Sequence, residues 1–145
     1  MKRIVTALVV FGLGFATARN AALAASSIVV PVLDGPPSMT GQNDDSWSKA
    51  ATLSLDTDFT YRRAAAERTV VYVAQDDSWL DVAFAVTQPE SQTASQETNS
   101  SSVLGDDYVG VYLYPQGVAG VAYSFLANPH GTRYQTSSEN TAFTP

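Results

Sequence analysis

The chain contains no cysteine. No disulfide framework can hold it and no lipid can be attached through a thioether, so an ordinary apolar core must carry the fold. Histidine is nearly absent too. The one present, His130, stands in Asn128-Pro129-His130-Gly131, where a solvated turn is the plain reading. There is no Gly-x-Ser-x-Gly elbow, no paired-His metal motif and no Gly-rich phosphate loop, so catalysis has little support. Positive charge is scarce: 8 Lys and Arg face 14 Asp and Glu, a formal net charge of −6. That balance argues against nucleic acid, whose binding rests on Lys and Arg neutralising phosphates, and suits neutral or cationic partners or a divalent cation.

What is present begins with Lys2-Arg3, an apolar run over residues 4–18 and the small-residue stretch Ala22-Leu23-Ala24. These are the three regions of an export signal, so residues 1–24 are expected to be a signal peptide and residues 25–145 the mature domain. The competing reading, a membrane anchor, requires about 20 apolar residues, more than the run provides. Removing residues 1–24 takes away Lys2, Arg3 and Arg19 and no acid, which moves the net charge from −6 to −9. The remaining length of about 120 residues suits one domain.

Downstream the pattern is β. Residues 69–74 and 79–86 are rich in β-branched and aromatic side chains and flank Asp76-Asp77-Ser78, a hairpin signal. In the second run Leu80, Val82, Phe84 and Val86 share one face. Trp79, Asp81, Ala83 and Ala85 share the other, expected to be the more solvated. Strands are expected at 108–114, 118–127 and 132–136, with a turn at Asn128-Pro129-His130-Gly131. Residues 88–105 are dominated by Ser, Thr, Gln and Asn and read as a long loop, either a plain polar insertion or a binding loop at one end of the fold. Residues 62–68 are the one place where a helical turn is conceivable. The fold class is therefore all-β, an antiparallel β-sandwich of immunoglobulin or jelly-roll type. Residues 137–145 are polar and carry no strand pattern, so the sandwich is expected to be incomplete at its C-terminal end and the chain to be the N-terminal portion of a longer protein.

The opening of the domain is distinctive. Val32-Leu33 leads into the turn Asp34-Gly35, and an acidic cluster, Asn43-Asp44-Asp45-Ser46, ends on Trp47. A buried Trp47 would fold the polar loop back over the core, acting as a clasp, because an aromatic side chain buries about 150–250 Å².

Taken in order, Asp34-Gly35, Asp44-Asp45 and Trp47, Thr69-Val70, Asp77, Leu80-Asp81-Val82-Ala83-Phe84, Asp106-Asp107-Tyr108-Val109-Gly110-Val111, and Phe125 with Asn128, Pro129 and Gly131 resemble the carbohydrate-binding module family 9-like domain. The resemblance spans residues 32–131. Two departures stand out: the insertion Pro36-Pro37-Ser38-Met39-Thr40-Gly41 before Trp47, and the absence of the family's closing Gly-Trp and Glu region, which contributes an aromatic to the sugar site. The resemblance implies a non-catalytic exported module that binds carbohydrate, appended to a glycoside hydrolase or another carbohydrate-catabolic protein. Such domains also occur as periplasmic N-terminal accessory domains of outer-membrane β-barrel proteins, which is the alternative context. Membrane association would then come through a missing C-terminal region of the same protein.

A sugar ring stacks its apolar face on an aromatic side chain while polar neighbours bond its hydroxyls. Trp79, beside Asp76-Asp77 on a strand's polar face, is the best candidate, followed by Tyr108 and Tyr134; Tyr61 is weaker, and Trp47 belongs to the core. The pairs Asp44-Asp45, Asp56-x-Asp58, Asp76-Asp77 and Asp106-Asp107 offer oxygen ligands of the kind calcium takes, although adjacent acids in turns usually cap. Asp106 and Asp107, where a long loop re-enters a strand, are the calcium candidates. Met39 and His130 would be the available haem ligands, with no spacing to support them.

Overall fold

The computed structural model describes residues 10–11, 28–41, 44–58, 61, 63–87, 93–95, 98, 100–115 and 121–139. Seven strands follow in order: β1 (Val10–Phe11), β2 (Ala51–Asp58), β3 (Arg63–Gln75), β4 (Leu80–Val86), β5 (Val109–Leu113), β6 (Tyr123–Ala127) and β7 (Arg133–Ser137). No α-helix occurs among the described residues; two short 3-10 turns, Asp45–Trp47 and Ser101–Gly105, complete the secondary structure. The expected all-β class is what the described residues adopt. The strands form a three-stranded sheet β2-β3-β4 and a sheet β1-β5-β6-β7 in which β5, β6 and β7 are antiparallel.

The chain divides into two compact units, one of residues 28–90 and one of residues 1–27 with 91–145. Strand β1 lies within the expected signal peptide and pairs in parallel with Tyr112 and Leu113 of β5. The rest of residues 1–27 falls outside the described residues.

In the unit of residues 28–90, β3 is the central strand. Val71 and Val73 on one face and Ala74 on the other are fully buried. Strand β2 was not anticipated, although Ala51, Leu53 and Leu55 alternate with Thr52, Ser54 and Asp56 as a half-buried strand requires. The segment expected to open the domain as a strand makes only a bridge, Val32 beside Gln75, fixed by Leu33 N–H donating to Gln75 C=O at 2.8 Å and Gln75 N–H donating to Pro31 C=O at 3.0 Å.

Two expectations need correction. No helical turn forms over the described part of 62–68: Arg63 pairs with Asp58 and Ala64 with Thr57 as the hairpin continues, and cross-strand pairing overrides the helix preference of three alanines. In β4 the alternation is as expected and Ala85 is exposed, but Asp81 on the same face is buried. Asp81 is 7% exposed, whereas Leu80 and Val86 at the strand ends are 43% and 37% exposed. Alternation sorts side chains between faces without saying which face a loop covers. Ser38, Met39 and Gly41 line a groove together with Ala83, Phe84 and Ala85.

The sheet β5-β6-β7 is held by Val111, Leu126 and the fully buried Val103. Gly110 faces Leu126 in register, and a Cβ there would meet Leu126 Cδ2 at 2.5 Å. A larger residue there would have to push the Leu126 side chain aside. The long polar loop also departs from expectation, since its Ser101–Gly105 part forms a 3-10 turn that buries Val103; residues 88–92, 96, 97 and 99 lie outside the described residues. The strand expected at 118–127 is seen over Tyr123–Ala127, with 116–120 outside the described residues, and the last strand extends to Ser137.

Candidate functional site

The clasp exists. Trp47 is 4% exposed, its indole N–H donates to Ser38 C=O at 3.0 Å, and its ring meets Tyr72 edge-on with centroids 6.3 Å apart. Asp44 caps the 3-10 turn by accepting Ser46 N–H at 2.9 Å and the Ser46 hydroxyl, while the same hydroxyl oxygen accepts Ser38 N–H at 2.8 Å. The Ser46 hydroxyl first, then Ser38 and the Ser46 amide, hold the Asp44 carboxyl below its usual range. Beside the clasp lies a half-open groove of about 260 Å³ lined by Met39, Trp47, Tyr72, Ala83 and Ala85 among others.

At the tip of the β3–β4 hairpin the situation is reversed. Trp79 is 69% exposed, yet its backbone is pinned: Asp76 Oδ1 accepts the amides of Ser78 and Trp79, both at 2.7 Å, and Asp76 N–H donates to Trp79 C=O at 3.0 Å. A turn that saturates its own polar groups presents an indole to solvent at a fixed place. Asp76 is half-buried and Asp77 exposed.

Two residues after Trp79, within β4, stands Asp81. Its register partner is Ala74, and its Oδ2 has no hydrogen-bond partner among the described residues. Burial pushes its carboxyl up, and the neighbouring Asp76 carboxylate pushes it further. Sequence reasoning placed Asp81 in solvent. The local signal for its burial was weak, a lone acid in a run of apolar residues.

Tyr108 and Tyr134 belong to the other unit. Tyr134 pairs with Leu126, which pairs with Gly110, placing it on the face that carries Gly110 and Tyr112. Tyr108 precedes β5. Burial raises the Tyr112 phenol, and Tyr108 and Tyr114 add to the effect, so the three phenols are electrostatic neighbours. Tyr108 and Tyr134 are both only partly exposed.

Asp106 and Asp107 are engaged as acceptors. Asp106 Oδ2 accepts Ser95 N–H at 2.9 Å, the Ser95 hydroxyl at 2.8 Å and Asn128 Nδ2 at 2.8 Å, and Asp107 Oδ2 accepts Thr93 N–H at 2.7 Å. Asn128 also donates to Ser95 C=O at 2.9 Å and accepts the amides of His130 and Thr132 at 3.0 and 2.9 Å. Thr132 completes the knot by donating to Ser95 C=O at 3.0 Å. The Asn-Pro-x-Gly signature therefore has a local cause: Asn128 fastens a turn whose Gly131 adopts φ +81°. Calcium takes six to eight oxygens. Among the described residues no group of three or more His, Cys, Asp or Glu side chains is placed to hold a metal ion. His130 supports Asp106 electrostatically, as the last of several causes that lower that carboxyl, the Ser95 amide and Asn128 being the largest. Tyr61 is exposed at the β2–β3 turn, with the Arg63 guanidinium 4.8 Å from its ring centre.

No helix among the described residues is long and apolar enough to cross a membrane. Compared with known proteins, the chain matches no family model, no curated protein and no solved structure.

Proposed function

We propose that this chain is an exported, non-catalytic module that binds carbohydrate through Trp79 at the tip of the β3–β4 hairpin, and that it serves a larger carbohydrate-catabolic protein. The observation that carries the proposal is the contrast between the side chain and backbone of Trp79: an indole 69% exposed on a residue whose amide and carbonyl are both bonded to Asp76. Leaving a large aromatic in water forgoes its burial energy, and fixing its backbone removes part of the entropy cost of stacking a ligand on it. Asp76 and Asp77 supply acceptors for sugar hydroxyls beside the ring. Tyr108 and Tyr134, partly covered in the other unit, offer less open surface.

Calorimetric titration of the chain with a panel of mono- and oligosaccharides tests the reading. At least one sugar is expected to bind, and Trp79→Ala to weaken it roughly tenfold, the loss of about 1.4 kcal/mol of stacking. Absence of heat across the panel, or binding indifferent to Trp79→Ala, would refute it.

A further inference from the structure

We infer that the free edge of β4 is a self-association surface, on which a second copy of this chain adds its own β4 antiparallel to make one continuous sheet. The edge is open because β4 is the outer strand of β2-β3-β4, its residues paired with β3 alone. Trp79 C=O accepts Asp76 N–H at 3.0 Å and Thr87 N–H donates to Arg68 C=O at 2.9 Å, so the odd-numbered residues turn their backbone groups toward β3. Gln75, opposite Leu80, agrees: its N–H and C=O bond Pro31 and Leu33 on the far side of β3. The even-numbered residues of β4, Leu80, Val82, Phe84 and Val86, therefore turn their backbone outward. No hydrogen bond to those groups occurs among the described residues.

Unbonded N–H and C=O groups on an edge are a template for another strand, and proteins guard such edges with Pro, Lys, exposed charge or a bulge. At the other edge of this sheet β2 is guarded, since its register shifts between Leu55 and Thr57 and Asp56 and Asp58 stand there. β4 is not. It holds no Pro or Lys, its register with β3 is unbroken, and its one charge, Asp81, is 7% exposed. The strand's own symmetry makes a second copy the occupant. Centred on Ala83, an antiparallel pair sets Leu80 opposite Val86 and Val82 opposite Phe84, each in both directions, as an isologous two-fold interface requires. Every outward-turned residue then meets another, and the four side chains share one face with their counterparts. Leu80 and Val86, 43% and 37% exposed at the two ends, cover one another. Charge selects the same orientation. Asp77 is exposed at the Leu80 end and Arg68 at the Val86 end, so antiparallel copies bring acid level with base, whereas parallel copies bring like to like.

One strand edge buries less than the roughly 1,200 Å² of a stable complex, so a weak dimer is expected, with Kd on the order of 100 μM. Sedimentation equilibrium of the chain from about 5 to about 500 μM should show the mass rising from one chain toward two. Over the same range hydrogen exchange should slow about threefold at the Val82 and Phe84 amides, with the Thr52 and Ser54 amides of β2 unchanged. The variant Leu80→Lys/Val86→Lys sets like charges opposite each other and should leave the chain monomeric, whereas Leu80→Lys/Val86→Glu sets opposite charges across the register and should keep the dimer. Circular dichroism checks that both fold; if either does not, exchange in the native chain decides alone. A mass of one chain throughout, with exchange independent of concentration, overturns the inference. So does a dimer that survives Leu80→Lys/Val86→Lys, or exchange slowed at Thr52 and Ser54 in place of Val82 and Phe84, because the copies would then meet elsewhere.

Discussion

The two compact units each fasten a long loop just ahead of a strand, and they use opposite chemistry. In residues 28–90 the loop before β2 is closed by one indole: Trp47 is buried against Tyr72, and the carboxylates of Asp44 and Asp45 stay in water. In the other unit the loop before β5 is closed by amides and hydroxyls, with Asn128 and Thr132, 6% and 5% exposed, tied to Ser95 and Asp106. An apolar anchor gains from every square ångström it covers and degrades gradually. A polar knot gains little net energy per bond, but deletion of one member strands buried donors. The first should be robust to changes at its polar residues, the second brittle at any one of them.

The sharpest way to break this comparison is Trp47→Ala. It is expected to cost about 3–5 kcal/mol, since the indole is almost wholly buried and the loop cannot refill its volume. Urea unfolding followed by circular dichroism reads it directly. A loss below about 1 kcal/mol would mean that loop 34–47 is not anchored by its tryptophan.

Asn128→Ala comes next, at about 2–3 kcal/mol, because the amide of His130 and the buried amide of Thr132 lose their shared acceptor and Asp106 loses a donor. Hydrogen exchange should show faster exchange at the Thr93 and Ser95 amides, with Val71 and Val73 little changed. If exchange accelerates equally in both units, the knot is not local and the contrast between the fastenings fails.

Much of this was legible from sequence where chemistry is local. Asp-Asp-Ser between two β-branched runs gave the β3–β4 hairpin, Asn-Pro-x-Gly gave the β6–β7 turn, and a lone tryptophan after acidic residues gave the clasp. The acids proved to be turn-holders: Asp44, Asp76, Asp106 and Asp107 each accept backbone amides. What was not legible depends on coverage from elsewhere in the chain. Asp81 alternates with apolar neighbours as a solvent-facing residue would, yet it is 7% exposed, and nothing in its own strand announces that. Val103 was hidden too, since it and Leu104 are an isolated aliphatic pair in a serine-rich loop. Of the candidate site, Trp79 could be chosen from sequence, but its placement in a different unit from Tyr108 and Tyr134 could not.

The smallest effect expected is the most specific to the comparison, because it sets the polar groups of the two units against each other in pH. Asp44 and Asp106 have carboxyls held below the ordinary value of 3.8, by the Ser46 hydroxyl and by the Ser95 amide respectively. Their support is present above that value and is lost as pH falls through their folded pKa values, so they set the acid limb of stability. Asp81 is shifted the other way, by burial first and Asp76 second. Its penalty is absent below 3.8 and complete only above its raised folded pKa, so stability should decline as pH rises through that value. Asp81→Asn removes the decline and leaves the acid limb intact, with a gain of about 1 kcal/mol near neutral pH because a buried charge is replaced by a neutral amide of the same shape. Urea midpoints from about pH 3 to about pH 8 for both proteins should therefore converge at the acid end and separate toward neutrality. Parallel curves would place the ionised Asp81 in an environment that satisfies it, and the opposition in pH between this acid and the two turn-bonded ones would fail.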